Sequence, residues 1–291
     1  MKKIAIVSGK GGVGKSSITA SLAIALSKHK KIICADCDVD APNLALVFGL
    51  RRFDKFKTIT TSQKAKFDLK KCIACKKCYE SCYFNAIEWK NNKPYLKDFS
   101  CEGCGVCKLV CPSNAIKLVN VKNAKIGYAK TGYGFKIVSG QLEIGESGSG
   151  KIVAEVKRLT IQKANNTDIM LVDAAAGIGC PVIASIVGSN YVIAITEPTP
   201  SGFSDLKRVL EVVNHFKISY SIIINRYDIN LEYTEKIGQF AKRNNIKIIA
   251  KIPYDRSFVD ALVNLKPVII YNPKYEKIFY DIKNTILENI N

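Results

Sequence analysis

No apolar run in this 291-residue chain approaches the roughly 20 residues that a membrane-spanning helix needs. The basic start Met1-Lys2-Lys3 leads straight into a short apolar strand, not into the apolar core of a secretion signal. The sequence therefore reads as that of a soluble, cytoplasmic protein, with no membrane partner. Acidic residues are scarce: 25 against 44 basic ones give a formal charge of +19. Such a charge attracts phosphate whatever the sequence, but arginine is scarce as well, and lysine supplies 37 of the 44 cations. That is a chain-wide bias and not an arginine-rich contact patch, so nucleic acid is not an expected partner. Only two histidines occur, His29 and His215, both near expected helix ends, and neither is assigned a catalytic role.

Cysteine, by contrast, is plentiful. Eight of the eleven fall within 40 positions at the spacing of metal ligands, which in a reducing compartment points to metal and not to disulfides. A chain this long buries a core without metal staples, so the metal is expected to act and not merely to brace the fold. Positive charge is densest in the same region, with thirteen Lys/Arg against four Asp/Glu over residues 51–97. Solvation or compensation of anionic clusters is the first reading of that excess, and a docking surface for an acidic partner the second.

Residues 3–8 read as a buried strand, followed by a glycine-rich loop and a helical pattern with Ile18, Leu22, Ala25 and Leu26 on one face. A second strand, 32–36, ends in an acidic loop from Asp36 to Pro42. Buried-type strands recur at 169–174, 191–196, 221–225 and 246–253, separated by helical lengths, which predicts a doubly wound, mostly parallel α/β sheet. Between about 57 and 120 this rhythm stops, and the sequence repeats itself at an offset of 29. Cys72, Cys75, Cys78 and Cys82 recur as Cys101, Cys104, Cys107 and Cys111, and Asn85-Ala86-Ile87 as Asn114-Ala115-Ile116, the mark of an internal duplication. The expected organisation is one nucleotide-binding domain over 1–57 and 123–291, interrupted by a small α+β domain at 58–122. A C-terminal stripe of Tyr275, Ile278, Phe279, Ile282, Ile286 and Ile290 has a polar side of mixed charge, so it is expected to pack on its own domain and not on a membrane surface.

Gly9-Lys10-Gly11-Gly12-Val13-Gly14-Lys15-Ser16 fits G-x-x-x-x-G-K-[ST] between a strand and a helix, the context this phosphate loop requires. Its backbone N–H groups wrap phosphate, the helix N-terminus adds partial positive charge, Lys15 reaches the outer phosphates and the Ser16 hydroxyl ligates Mg²⁺. A second glycine-rich stretch, Gly145 to Lys151, has Ile152 at the Mg²⁺-hydroxyl position and reads as a helix-start turn. Each cysteine group matches the bacterial ferredoxin run, whose fourth cysteine ligates the other cluster. Cys72, Cys75, Cys78 and Cys111 are thus expected to hold one [4Fe–4S] cluster, and Cys101, Cys104, Cys107 and Cys82 a second. Three thiolates at this spacing suit a corner-capped cube better than the paired knuckles of zinc. Tyr83 stands where the first run would carry the proline that the second has at Pro112. Cys34, Cys37 and Cys180 are read as small structural residues.

KGGVGKSS, ICADCDVDAPNL, TEPTPSGFSDLKRV and IINRYD together resemble the deviant-Walker ATPases: MinD, ParA, the Mrp-type iron–sulfur carriers and the nitrogenase iron protein. Within that group the chain is most similar to the MinD-like ATPases with an inserted ferredoxin domain. The resemblance implies ATP or ADP as ligand, with Ser17 completing the nucleotide-binding loop, and a nucleotide-dependent homodimer or a heterodimer with a paralogue. It implies that Lys10 crosses to the partner's phosphates, that Asp38 orients the attacking water or Mg²⁺ with Asp36 or Asp40 beside it, that Asp173 supports Mg²⁺ through water, and that Asn225 reads the adenine. Where relatives carry a proline after the aspartate, this chain has Ala174-Ala175-Ala176, which points to slow or partner-gated hydrolysis. Three functions follow from the resemblance: an ATP-gated electron carrier acting on a redox or client protein, an iron–sulfur scaffold or carrier, and a positioning ATPase with a redox sensor.

Overall fold

In a computed structural model that describes residues 1–290, the chain divides into two compact units. The first comprises Met1–Phe56, Ile126–Gln141 and the chain from Ser149 on; the second comprises Lys57–Lys125 with Leu142–Gly148. The expected boundaries placed 142–148 in the nucleotide domain. Asn123 is the reason they belong to the second unit: its buried side chain accepts from the Thr61 N–H and donates to the Ser147 carbonyl, while its own carbonyl accepts from the Glu143 N–H.

The sheet runs in the order Lys247–Ile252, Tyr220–Asn225, Tyr191–Thr196, Lys2–Ser8, Ile169–Ala176, Ile32–Cys37, Lys136–Leu142, with Ala124–Lys130 and Lys55–Ile59 following at the edge. Every pairing from the first of these to Lys136–Leu142 is parallel. Parallel strands covered on both faces read as continuous apolar runs, as in Ile4, Ala5, Ile6 and Val7, each fully buried. The strands Ala124–Lys130 and Lys136–Leu142 were absent from the sequence reading. They lie toward the sheet edge, and their lysines and glycines break the apolar signal that marks the central strands.

Helix Lys15–Ser27 is buried on nearly every side, because it packs on the sheet and also against the C-terminal helix Glu276–Ile290. That helix directs Phe279, Ile282, Ile286 and Ile290 into the same core, so the stripe seen in the sequence is spent on the protein's own interior. Residues 145–151 form a turn with positive φ at Gly145 and Gly148, and helix Ser149–Lys163 starts within it.

In the second unit, Ser62–Phe67 pairs antiparallel with Ile116–Val121, and Ile87–Lys90 with Lys93–Leu96. The duplication is structural: the one-turn helices Lys77–Glu80 and Val106–Leu109 are offset by the same 29 residues as the cysteines. So are the N–H bonds from Ala86 to Cys82 Sγ and from Ala115 to Cys111 Sγ, both 3.3 Å.

Because Phe279 is fully buried against helix Lys15–Ser27, Phe279→Ala is expected to lower unfolding stability by about 3–5 kcal/mol. Urea denaturation monitored by circular dichroism measures this, and a cost below about 1 kcal/mol would show the helix to be peripheral.

Candidate functional site

Strand Lys2–Ser8 ends at the loop 9–14, where Gly12 and Gly14 take φ of 81° and 87°. A β-carbon at Gly14 would lie 2.5 Å from Asn225 Nδ2, and one at Gly9 would lie 2.2 Å from the Asp205 carbonyl oxygen. The loop is thus seated against two later elements that only glycine can approach. Beside it opens a cleft of about 470 Å³, in the range of small-molecule sites. Gly11, Gly12, Lys15, Ser16, Ser17 and Asp38 line it together with Asn225, Arg226, Pro253 and Tyr254.

Asp173, fully buried on the adjacent strand, gathers the loop's polar groups. Its Oδ1 lies 2.8 Å from Lys15 Nζ and 2.9 Å from Thr19 Oγ1, and its Oδ2 accepts from Ser16 Oγ at 2.7 Å. Burial pulls the Lys15 ammonium toward neutrality, but Asp173, Asp38 and Asp36 outweigh it and raise its pKa, so the cation is retained. Thr19 was missed in the sequence; it stands one helical turn after Lys15, a position that reads as helix interior. Asp38 is partly exposed with Oδ2 3.9 Å from Lys15 Nζ.

Asp36 is fully buried and lies outside the cleft lining. It accepts from the Leu44 and Asp38 N–H groups, at 3.1 and 3.3 Å, and so shapes the loop that presents Asp38. Burial, together with the Asp173 carboxylate, pushes its own carboxyl well above the usual range. Asp40 is exposed and also lies outside the lining.

Lys10 is folded onto its own chain, with Nζ 2.8 Å from Glu197 Oε1 and 3.3 Å from Ser201 Oγ. Arg226 grips the other oxygen of Glu197 at 3.0 Å. Glu197 and Arg226 were not singled out in the sequence, although both lie in the segments that carried the resemblance. Asn225 donates from Nδ2 to the Val13 carbonyl at 2.8 Å, and its buried Oδ1 has no partner among the described residues. It therefore holds the phosphate loop from behind while lining the cleft.

The eight clustered cysteines line two small cavities of the second unit, each of about 20 Å³. Cys72, Cys75, Cys78 and Cys111 line one; Cys82, Cys101, Cys104 and Cys107 line the other. Each cavity thus takes three cysteines from one repeat and one from the other. Among the described residues no three His, Cys, Asp or Glu side chains converge tightly enough for a single metal ion. Trp89 lines the first cavity, and its buried Nε1–H has no acceptor among the described residues. Away from these cavities, Cys34 and Cys37 are fully buried, and burial pushes the Cys37 thiol up to about 12. They pack as small apolar residues. Cys180 opens helix Cys180–Ile186 and is exposed.

A sequence profile of the CobQ/CobB/MinD/ParA nucleotide binding domain matches residues 4–268. An uncharacterized protein of Methanocaldococcus jannaschii is 40% identical over 238 residues, which is 81% of this chain and 82% of the relative. The iron–sulfur cluster carrier protein of Aquifex aeolicus is 23% identical over 94% of this chain and 63% of its own. Among solved structures, the septum site-determining protein MinD of Pyrococcus horikoshii, complexed with Mg-ADP, superposes with a TM-score of 0.60 at 19% identity, covering 98% of this chain and 95% of that one. A phosphate loop seated on a mostly parallel sheet, with a profile match across nearly the whole chain, makes this protein a member of the CobQ/CobB/MinD/ParA family of P-loop nucleotide-binding ATPases.

Proposed function

We propose that the chain binds ATP with Mg²⁺, carries two [4Fe–4S] clusters, and uses nucleotide state to gate electron exchange between those clusters and a partner protein. The observation that carries this reading is the partition of eight cysteines into two four-cysteine cavities with an exchanged fourth ligand, on a chain that also holds a P-loop. Cys72, Cys75, Cys78 and Cys111 would hold one cluster, and Cys101, Cys104, Cys107 and Cys82 the other. The donor set fits: all-thiolate sites suit iron–sulfur clusters, and a buried indole N–H without an acceptor fits a sulfur-rich anionic occupant of the first cavity. The clusters supply one-electron chemistry. The antiparallel pairings of Ser62–Phe67 with Ile116–Val121 and of Ile87–Lys90 with Lys93–Leu96, with the duplicated one-turn helices, support reading this unit as an insert of the ferredoxin kind.

At the nucleotide, Lys15 and the loop N–H groups neutralise phosphate charge, Ser16 and Asp173 stand where Mg²⁺ and its water are held, and Asp38 positions the attacking water. Asn225 sets the loop and offers its free Oδ1 to the base. Lys10, latched by Glu197, is released to reach a second copy's phosphates in an ATP-dependent homodimer. Gating has a physical route. Helix Ser149–Lys163 begins directly after the second unit's last segment, and its Lys157 donates to the carbonyls of Ala184, Ser185 and Val187 at 2.7, 2.9 and 2.7 Å. Those carbonyls end helix Cys180–Ile186, which follows the loop after Asp173. The name of the Aquifex relative favours a second reading, cluster delivery, in which cluster would pass from this protein to an apo-acceptor only when Lys15 is intact.

Anaerobically purified protein is expected to contain about eight iron and eight sulfide per chain, and Cys111→Ala to lose about half of each. Zinc in place of iron would sink the cluster assignment. Lys15→Ala is expected to weaken ATP binding by at least about tenfold, 1.4 kcal/mol, in isothermal titration, with iron content unchanged. Redox titration with ATP, with ADP and without nucleotide should give different cluster potentials, and Lys157→Met should remove the difference; identical potentials in the wild-type protein would rule out gating.

A further inference from the structure

The duplication supplies an internal control, because two loops of the same backbone enclose the two cysteine cavities with different side chains. In the first repeat Lys70, Lys71, Lys76 and Lys77 flank Cys72 and Cys75; the positions 29 residues later are Phe99, Ser100, Gly105 and Val106. The fold needs none of these lysines, since its duplicate forms the same turn without them. At two of the turn positions the first repeat even resists the fold. Ala74 and Lys76 have φ of 58° and 60°, where the second repeat uses Gly103 and Gly105 at 66° and 83°. A β-carbon makes that conformation costly and glycine enters it freely, so Lys76 keeps its side chain against a backbone penalty, with its Nζ 5.9 Å from the centroid of the Trp89 ring.

All four lysines are exposed. The ion pairs of this unit among the described residues are Lys64–Glu146, Lys90–Glu88 and Lys125–Glu143, which leave the four without a carboxylate partner. Cys75, between them in sequence, is itself exposed, and Ile73 beside it is 63% exposed. Positive charge without a carboxylate partner around an exposed apolar residue and a surface cysteine is the pattern of a contact for a negatively charged protein face.

We propose that an acidic electron-carrier protein docks on the first-repeat face, over the loop that presents Cys75 among Lys70, Lys71, Lys76 and Lys77. The proposal rests on the cluster reading above for its redox meaning; the contact itself rests on charge and exposure. One electron crosses this contact, lost by one protein and gained by the other, with no covalent bond made or broken.

The test uses the full-length, cluster-loaded protein and two probes of opposite charge, an acidic flavodoxin and the basic protein cytochrome c. Dissociation constants are measured by thermophoresis at about 20 and about 300 mM salt, where screening differs strongly. The flavodoxin is expected to bind, with at least about a tenfold loss at high salt, and cytochrome c not to bind. The triple variant K71E/K76E/K77E is expected to lose flavodoxin binding by at least about tenfold, while K66E/K117E/K122E, with the same charge change on exposed lysines elsewhere in the unit, keeps it. Equal weakening by both triples, no flavodoxin binding, or equal binding of both probes would overturn the docking face. The visible iron–sulfur absorption of each preparation is read alongside: its absence in the wild-type protein would remove the cluster reading, while the binding comparison would still decide the surface.

Discussion

The buried carboxylate of Asp173 is the point on which the nucleotide site turns. It sits fully enclosed on a central strand, and such a charge is tolerable only when it is paired and hydrogen-bonded. Lys15, Ser16 and Thr19 provide that, all three from the first turn and a half of the phosphate-loop helix. The same three bonds fix the helix N-terminus over the strand ends, so the geometry of the loop and the solvation of the carboxylate are one arrangement. A ligand that draws Lys15 toward phosphate must offer Asp173 a replacement charge, which is a physical reason for Mg²⁺ to enter with nucleotide.

Around that point the site is held from behind. Asn225 reaches the Val13 carbonyl from the end of a distant strand, and Asp36 uses two N–H bonds to set the segment carrying Asp38. Glu197 restrains Lys10 and Arg226 together. Ala174–Ala176 end the strand Ile169–Ala176, the first two of them buried, and the Gly177 N–H that follows donates to the Ser8 carbonyl. Small side chains there let the strand end lie close to the start of the phosphate loop.

The second unit follows a different economy. Its apolar cluster is small, Ala65, Cys78, Ile87 and Ile116 with flanking residues, and several of those flanking residues are cysteines. A core of that size is weak by itself, and clusters bound as proposed would contribute to the integrity of the unit as well as to its chemistry. Burial, with the neighbouring Cys101 thiol, pushes the Cys107 thiol up to about 11.

Much of this was legible in the amino-acid order alone. The phosphate loop, the central strands, the duplicated cysteine groups and the C-terminal apolar stripe are local patterns, in which spacing along the chain dictates the face or turn that results. Tertiary structure decided what depends on residues far apart. Thr19 became a partner of Asp173 because its helix is buried on all sides, and Asp36 proved a shaper of the loop because its carboxylate points to N–H groups and away from the cleft. Lys10 was found latched to Glu197, 187 residues later, a pairing that periodicity cannot express. The edge strands 124–130 and 136–142 escaped detection because their polar residues mimic loop composition, and 142–148 joined the second unit through one buried asparagine. Sequence fixes what neighbours along the chain must do; long-range pairing of buried polar groups is settled only when packing leaves each of them one available partner.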